Sequence, residues 1–206
     1  MARLIADLFL TLDGVAQAPG SPNEDTEGGF RHGGWHHDHA DEAVRAEVLR
    51  NTREADAYLF GRRTFEIFAA FWPRAGGDLA ALAEPLNTRP KYVVTSTLTA
   101  PLAWAGAEPL AGEPADSVSA LLARRAGDVH LVGSPQLTAA LLARDLVDEV
   151  RLVIDPVLVG GGKRAFPLDG GLRRLRMTSS EVTRSGAVIA RYAPQRQERG
   201  PRVPAG

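Results

Sequence analysis

Three short segments of the chain combine glycine, hydroxyl and cationic residues in a way that suits an anionic ligand. In FGRRTFE (residues 60–66), a glycine and two arginines stand where a strand pattern changes to a helix pattern. Backbone N–H groups at a helix start bind anions, and neighbouring guanidinium groups add charge-assisted hydrogen bonds. In VVTST (93–97) the hydroxyl groups could bind a phosphate or a ribose, and in LVGSPQL (131–137) the glycine lets a ligand approach the backbone closely. Together the three segments predict a site for an anionic nucleotide.

Each segment also has an explanation that needs no ligand. Arg62 and Arg63 could be solvated surface charges, and Ser134 could serve only as a helix cap. Residues 95–97 could simply end a strand. Singly these explanations are the more usual ones, and only the combination of the three segments favours the nucleotide.

The hydrophobic pattern places all three segments at the ends of strands. It predicts strands over residues 4–12, 56–61, 91–97, 128–134 and 148–160, the last with a kink at Pro156. It predicts helices over residues 41–53, 63–71, 117–125 and 135–144, a long loop over 16–39, and an antiparallel pair over 172–183 and 187–193. This order indicates the α/β class, with a central, mainly parallel mixed sheet flanked by helices and antiparallel strands at the C-terminal end. In such sheets the ligand site lies beyond the carboxyl ends of the strands.

Length and composition indicate one domain and exclude several classes of protein. The 206 residues are expected to form a single domain over 1–193 and a disordered polar tail over 194–206. The formal net charge of -1 gives no field that would attract nucleic acid. Cysteine is absent, which excludes disulfides and thiolate sites. The sequence shows neither a signal-peptide pattern nor a long apolar run, so we expect a cytoplasmic protein that does not bind membranes.

The glycine-rich stretch VLVGGGKRAFP (157–167) raises the separate question of a phosphate-binding P-loop. That motif needs a glycine five residues before the glycine that precedes lysine, and a serine or threonine after the lysine. Val157 and Arg164 occupy these two positions, and no helical pattern follows. We therefore interpret the stretch as a loop at the rim of the site, where Lys163 or Arg164 at most contacts a substrate phosphate.

The stretch HGGWHHDH (32–39) contains four histidines and an aspartate, which could bind zinc. It does not match the two-histidine pattern of a metalloprotease helix, and it lies in a loop that contains glycine. A metal site, a loop that faces the substrate and an exposed loop all stay open, and we predict no metal. The residues concerned are His32, His36, His37, Asp38 and His39.

The order of these segments resembles that of the dihydrofolate-reductase-like superfamily, specifically the branch that contains the reductase domain of bacterial riboflavin biosynthesis. The resemblance covers residues 4–192 and rests on LFLTLDGVAQ, GGW, YLFGRRTFE, KYVVTST, VHLVGSPQL and VDEVRLVIDPVLVGGGKRAFP. It implies a dihydrofolate-reductase-like fold, a homodimer, and NADPH as the cofactor. It also implies hydride transfer to a pteridine- or pyrimidine-type small molecule, as in 5-amino-6-(5-phosphoribosylamino)uracil reductase. Two arginines at one strand end suit NADPH on physical grounds, because its additional phosphate needs cationic donors.

The resemblance further implies which residues contact the ligands. The cofactor phosphates are expected at Gly61, Arg62, Arg63 and Thr64, and the adenosine along Thr95 and Ser96. The pyrophosphate and nicotinamide are expected at Gly133, Ser134, Pro135, Gln136 and Leu137, with Val15 and Gln17 beside the nicotinamide. The substrate is expected at Trp35, His36 and Phe65. The segment after GGW departs from the family, which carries aromatic and proline residues there, so the substrate is the least determined part.

A hydride acceptor of this kind needs a proton donor or a polarising carboxylate. In folate-type members an acid near the start of the first long helix holds the substrate, and Asp41 is the candidate here, with helix capping as the alternative. Asp13 is the second candidate, with turn formation as the alternative.

Two other functions stay open from the sequence. One is a non-catalytic NADP-binding or regulatory module on the same fold, because no clear proton donor is present. The other is a metal-dependent hydrolase that uses the histidines of residues 32–39.

Overall fold

Short apolar strands that alternate with helices build a layered α/β structure around one sheet. The computed structural model describes residues 2–195. Its strands are β1 (Leu4–Thr11), β2 (Ala57–Gly61), β3 (Lys91–Val94), β4 (Ala107–Leu110), β5 (Val129–Val132), β6 (Glu149–Asp155), β7 (Leu175–Val182) and β8 (Val188–Pro194). Its helices are α1 (Glu42–Glu54), α2 (Arg62–Phe71), α3 (Ala80–Thr88), α4 (Pro114–Arg124) and α5 (Pro135–Ala143).

The strand order is β4-β3-β2-β5-β1-β6-β8-β7. The first six strands run parallel, whereas β8 pairs antiparallel with β6 and β7 pairs antiparallel with β8. The predicted fold class is therefore confirmed. The carboxyl ends of the six parallel strands meet at one edge, where the glycine, hydroxyl and arginine segments were expected.

The two faces of the sheet differ in polarity. On one face, alternate residues such as Leu4, Leu59 and Leu131 form the main apolar core under α4 and α5. Burial of each such side chain contributes about 1.5–3 kcal/mol. The other face carries two separate apolar clusters, one around Phe60 and one around Val153. Because side chains alternate along a strand, Asp7, His130 and Arg151 share this second face.

Several element boundaries differ from the sequence prediction. Strand β6 ends at Asp155 instead of continuing through a kink, because Pro156 has no N–H and Val157 N–H bonds back to the Asp155 carbonyl at 2.8 Å. Strand β3 ends at Val94, so residues 95–97 lie in the loop that follows it and not in the strand. Helix α4 begins three residues earlier than predicted, with Glu113 as its cap.

Two elements were missed because proline hides their pattern. Helix α3 contains Pro85 and begins without a side-chain cap, and strand β4 contains Pro109 in four residues at one edge of the sheet. Strand β8 extends through Pro194, and the rest of the predicted tail, from residue 196 onward, lies outside the described residues.

Candidate functional site

Two helices begin side by side at the carboxyl edge of the sheet. Helix α2 follows strand β2 through Gly61, and helix α5 follows the neighbouring strand β5 through Gly133 and Ser134. The Gly61 N–H donates to the Ser134 hydroxyl at 2.9 Å, so the two helix starts are tied together. Two segments that are about seventy residues apart in the sequence thus form one surface.

Neither of these helix starts is capped by a side chain within the described part of the chain. The Ser134 hydroxyl instead donates to the Val132 carbonyl at 3.1 Å, so the interpretation of Ser134 as a simple helix cap is wrong. The first N–H groups of an α-helix have no partner inside the helix, and uncapped ones remain available to an anion. The positive ends of two helix dipoles therefore lie at neighbouring strand ends.

The backbone at this edge has the conformation and the room that close approach of a ligand requires. Gly133 and Ser134 have φ of 56° and 50°, in the left-handed region. A β-carbon added at Gly133 would lie 3.6 Å from Thr64 Cγ2, and one added at Gly61 would lie 3.6 Å from Ser134. These are ordinary van der Waals distances, so glycine leaves the backbone of both helix starts uncovered by a side chain of its own.

The two arginines of α2 are half exposed at the same edge. Arg62 forms an exposed pair with Glu66 at 3.0 Å, which contributes little to stability and leaves the guanidinium able to take a phosphate instead. Arg63 Nε lies 3.6 Å from Asp25 Oδ1.

The two residues predicted to contact the adenosine lie in different environments. Thr95 Oγ1 accepts the N–H groups of residues 97 and 98, whereas the Ser96 side chain is exposed.

A cleft of about 680 Å³ opens beside the two helix starts and runs beneath α1. Thr64, Gly133, Ser134 and Pro135 line it, together with the loop over residues 16–21. Phe68, Phe71 and Trp72 form an apolar wall. Of the other predicted cofactor residues, Gln136 follows Pro135 in the first turn of α5 and Leu137 packs into the main core. Such a cleft, mostly apolar with a few polar groups, is typical of a small-molecule site.

The predicted substrate residues lie in three different settings. Phe65 packs in the core against Phe60 and Trp104, outside the lining of the cleft, so its predicted contact with a substrate has no support in this geometry. Trp35 is buried and donates its indole N–H to the Gln17 carbonyl at 2.8 Å. His36 lies against the Phe9 ring, with 4.1 Å between centroids, and Phe9 itself lines the cleft.

Gln17 holds the long loop together from inside. Its side-chain amide donates to the carbonyls of Asp25 and Glu27 and accepts the Lys163 N–H, at 3.1, 3.0 and 3.0 Å. Val15 is buried, and its N–H donates to Thr11 Oγ1. Both residues were predicted to contact the cofactor. Gln17 lines the cleft and its bonds position the loop that borders it, whereas Val15 is not part of the lining.

Lys163 joins the glycine-rich loop to the long loop. Its ammonium group lies 2.7 Å from Asp25 Oδ2 and 2.5 Å from Glu27 Oε2. Burial raises the pKa of Asp25, but the bonds from Lys163 and the Glu27 N–H outweigh it and leave the pKa below its usual value. Arg164 donates to the Asp13 carbonyl. The expectation that Lys163 or Arg164 contacts a substrate phosphate therefore has no support, since both bind within the protein.

We expect the substitution Lys163→Met to destabilise the protein by about 1–3 kcal/mol, because the nearly buried Asp25 carboxylate loses its hydrogen-bonded ammonium group and keeps only the more distant Arg63 guanidinium as a cation. Amide hydrogen exchange over residues 17–29 should become faster, since the loop loses its anchor. Denaturant unfolding and exchange mass spectrometry would measure both effects. Glu27→Gln is the matched control, because Glu27 is exposed and its loss should leave the unfolding midpoint unchanged. Equal effects of the two substitutions would contradict this role of Lys163.

The two predicted catalytic acids are both bonded to backbone N–H groups. Asp13 accepts the Thr11 hydroxyl at 2.5 Å and the Gly160 N–H at 2.9 Å, and these bonds, that of Thr11 first, lower its pKa. Asp41 accepts the N–H of Ser185 at 2.9 Å and that of Val44 at 3.1 Å, and these bonds strongly lower its pKa. Asp41 therefore caps α1, which is the alternative interpretation, and neither carboxyl group is suited to donating a proton.

The substitution Asp41→Ala should lower the melting temperature by about 2–4 °C, and Asp41→Asn by less, because asparagine keeps one capping acceptor. The pKa of Asp41 is lowered in the folded protein, so its stabilisation is complete above the usual carboxyl pKa and is lost as the pH falls below it. Melting curves at pH values between about 3 and 7 should show the difference between wild type and Asp41→Asn narrowing towards the acidic end. A difference independent of pH would contradict the assignment.

The histidines of residues 32–39 have separate partners. His36 Nδ1 lies 2.8 Å from Asp155 Oδ2, and His39 Nδ1 lies 3.4 Å from the Ser185 carbonyl. The His32 ring stands edge-on to Phe30. Across residues 2–195, no three histidine, aspartate or glutamate side chains form a group that could hold a metal ion.

The lining of the cleft also contains polar residues that sequence reasoning missed. Asp7, His130 and Arg151 stand on the floor, and Glu47 and Asn51 face them from α1. The signal was present, because Asp7 and His130 each interrupt a mostly apolar strand and Arg151 lies between apolar residues of β6. A charged side chain in a buried strand needs a partner or a function.

The sheet order, the antiparallel C-terminal strands and the strand-end cleft define a domain of the dihydrofolate-reductase-like type. Within that class, the chain belongs to the RibD C-terminal domain family, whose model matches residues 2–189. Comparison with curated proteins gives no match.

Two solved structures share the fold. One is a protein from Shewanella sp. PV-4 provisionally assigned to riboflavin biosynthesis, with 20% identity, a TM-score of 0.66, and coverage of 95% of this chain and 100% of that one. The other is a pyrimidine reductase-like protein from Corynebacterium diphtheriae, with 16% identity, a TM-score of 0.60, and coverage of 95% and 93%. At these identities the likeness concerns the fold. No helix among residues 2–195 is long and apolar enough to cross a membrane.

Proposed function

We propose that the chain is an NADPH-dependent reductase that transfers a hydride to a pyrimidine- or pteridine-type small molecule, with 5-amino-6-(5-phosphoribosylamino)uracil reduction as the leading reaction. The observation that carries this proposal is the pair of uncapped helix starts, α2 and α5, which meet at the mouth of a cleft large enough for a ring. Family membership supports the reductase class.

The residues at the strand ends fit the chemical groups of the cofactor. The N–H groups at the starts of α2 and α5 suit a pyrophosphate, and Arg62 suits the 2′-phosphate because its guanidinium is exposed beside them. Bound NADPH supplies the hydride. The chain itself contributes orientation, through Gly133 and the loop held by Gln17, and exclusion of water, through the aromatic wall of the cleft.

Two measurements on the purified protein test this proposal. Titration with NADPH should change the cofactor fluorescence and raise the melting temperature, because a ligand that binds only the folded state stabilises it. Addition of the phosphoribosylamino-uracil should then oxidise NADPH, seen as loss of its absorbance. Absence of any response at about millimolar NADPH, the weak end of cofactor affinities, would reject the proposal.

A non-catalytic NADP-binding module on the same fold is the second candidate. It is favoured by one observation: the carboxyl groups of Asp13 and Asp41 accept backbone N–H groups and are poor proton donors. This candidate predicts the same NADPH binding without turnover of any pyrimidine or pteridine. The turnover measurement therefore separates the two functions.

The homodimer implied by the resemblance and the cytoplasmic location expected from the sequence pattern stay predictions. Sedimentation velocity of the full chain tests the first, with a species of twice the chain mass as the expected result. Cell fractionation tests the second.

A further inference from the structure

The two edges of the sheet differ in how open they are to another strand. Edge strand β4 has four residues and contains Pro109, and both features hinder further pairing. Edge strand β7 has eight residues and no proline, and all eight are exposed. Among residues 2–195 it pairs only with β8. Every second backbone N–H and C=O group of such a strand points away from its neighbour and can pair with a further strand.

One face of β7 carries exposed apolar side chains. The register with β8 places Leu175, Met177 and Val182 on the same face. Their exposed fractions are 39%, 49% and 73%. Exposed apolar residues in a row on a long edge strand favour contact with another protein chain.

A bulge in the middle of β7 determines which residues share a face. The register with β8 shifts between Met177 and Ser179, so Thr178 is an additional residue. Beyond it the alternation of side chains is displaced by one position. As a result Arg176 and Glu181, which are an odd number of positions apart, lie on one face, opposite to the apolar one.

The two charged residues of β7 select the kind of strand that can pair with it. Arg176 and Glu181 are exposed and form no ion pair or side-chain hydrogen bond with any of residues 2–195. Charges and bulges on an edge strand ordinarily keep other strands away. These two charges have opposite signs and lie second from either end of the strand. They therefore match an identical strand that runs in the opposite direction.

Antiparallel pairing of two β7 strands about a two-fold axis brings these charges together. The register that pairs all eight residues places Arg176 opposite Glu181 of the partner subunit, and symmetry repeats the contact. On the apolar face it places Leu175 opposite Val182 of the partner subunit. Both faces are therefore complementary in the same register.

Other registers lose this match. Directly opposed residues share a face, so a shift by one residue would set apolar positions against charged ones. A shift by two residues pairs fewer residues and separates Arg176 from Glu181 of the partner subunit. In the full register Thr178 lies opposite Ser179 of the partner subunit, so the bulges of the two strands meet at the axis.

We propose that two copies of the chain associate through β7, which pairs antiparallel with β7 of the partner subunit and joins the two eight-stranded sheets into one. The backbone groups of the open edge supply the hydrogen bonds, and the two Arg176–Glu181 pairs select a second copy over other strands. No residue of β7 lines the cleft, so this inference does not depend on the proposed cofactor or substrate.

Charge reversal in the full chain tests this register by sedimentation velocity over a dilution series. Wild type should form a species of twice the chain mass at concentrations up to about 100 μM. In Arg176→Glu both cross-strand pairs become pairs of acids, and in Glu181→Arg both become pairs of arginines. Each variant alone should dimerise about 10- to 100-fold more weakly than wild type, because like charges directly opposite each other repel.

An equimolar mixture of the two variants provides the sharper measurement. One chain then carries two acids and the other two arginines, so both cross-strand pairs again have opposite charges. The mixture should form a heterodimer with an affinity within about 3-fold of the wild-type dimer. No other register of β7 restores both pairs on mixing.

Arg74→Glu is the matched control for the change in charge. Arg74 is exposed and follows α2, which packs beside β2 on the far side of the sheet from β7, so this variant should dimerise as wild type does. Circular dichroism checks that all variants fold, as the exposure of both β7 positions leads us to expect.

Three outcomes would overturn the proposal: a wild-type monomer throughout the dilution series, single variants that dimerise as wild type does, or a mixture that stays monomeric. NADPH titration of the same samples keeps the two proposals apart. Monomeric variants that still bind NADPH support β7 as the interface, and loss of NADPH binding in wild type would reject the proposed function without affecting this one.

Discussion

Replacing Gly133 with aspartate should lower the affinity for NADPH on the order of 100-fold, the largest effect expected from any single substitution at the strand ends. The added carboxylate would stand where the helix starts of α2 and α5 meet, in the space that the missing β-carbon leaves beside Thr64. Two like charges about 4 Å apart repel by up to about 4 kcal/mol near a protein surface. A pyrophosphate at this edge would meet that repulsion directly.

Gly133→Asn is the matched control, because asparagine has the same shape as aspartate and tolerates the left-handed conformation equally well. Gly133 has φ of 56°, so both variants carry the same backbone strain. The affinity ratio between them, measured by fluorescence titration, isolates the charge. If the two variants bind NADPH equally, the pyrophosphate does not lie at Gly133.

The substitution Arg62→Ala should reduce the affinity for NADPH by about 10- to 100-fold and change that for NADH by less than about 2-fold. The two cofactors differ only in the 2′-phosphate, and the Arg62 guanidinium is tied solely to the exposed Glu66 within the described residues. The loss of one charged hydrogen-bonding partner should therefore appear only with NADPH. Competition titration against both cofactors provides the measurement.

Arg62 is the better test of this contact than Arg63, because Arg63 also lies near Asp25 and so touches the anchor of the long loop. Arg74→Ala is the control. Arg74 is an exposed arginine just beyond the end of α2, and within the described residues its guanidinium bonds only to the Ala70 carbonyl. Equal losses for NADPH and NADH would mean that Arg62 stabilises the site in general. No loss for either would place the 2′-phosphate elsewhere.

Local sequence patterns predicted the strands and the positions where they end, because both features are determined by residues that are close together in the sequence. A glycine after an apolar run marked Gly61 and Gly133, and proline at the first turn marked the start of α5. Asp41 was recognised as a capping candidate from its position alone, and the structure shows it capping α1. Helix α3 and strand β4 were not recognised, because Pro85 and Pro109 break the patterns that would identify them.

The side-chain contacts on the cleft floor could not be predicted, because they depend on how the strands pair and in which register. Asp7 and His130 are separated by 123 residues, and only the β1–β5 pairing brings them together. The same holds for Lys163 and Asp25, which are 138 residues apart. The sequence marked Asp7 as an interruption of an apolar strand, but it carried no information about which residue would face it.

A crystal structure of the full chain with bound NADPH tests the central claim most directly. The pyrophosphate should lie against the N–H groups at the starts of α2 and α5, the 2′-phosphate beside Arg62, and the nicotinamide beside Gly133 above Asp7. Phosphates bound instead at the glycine-rich loop of residues 160–163, or a nicotinamide outside the cleft, would contradict the site proposed for this reductase.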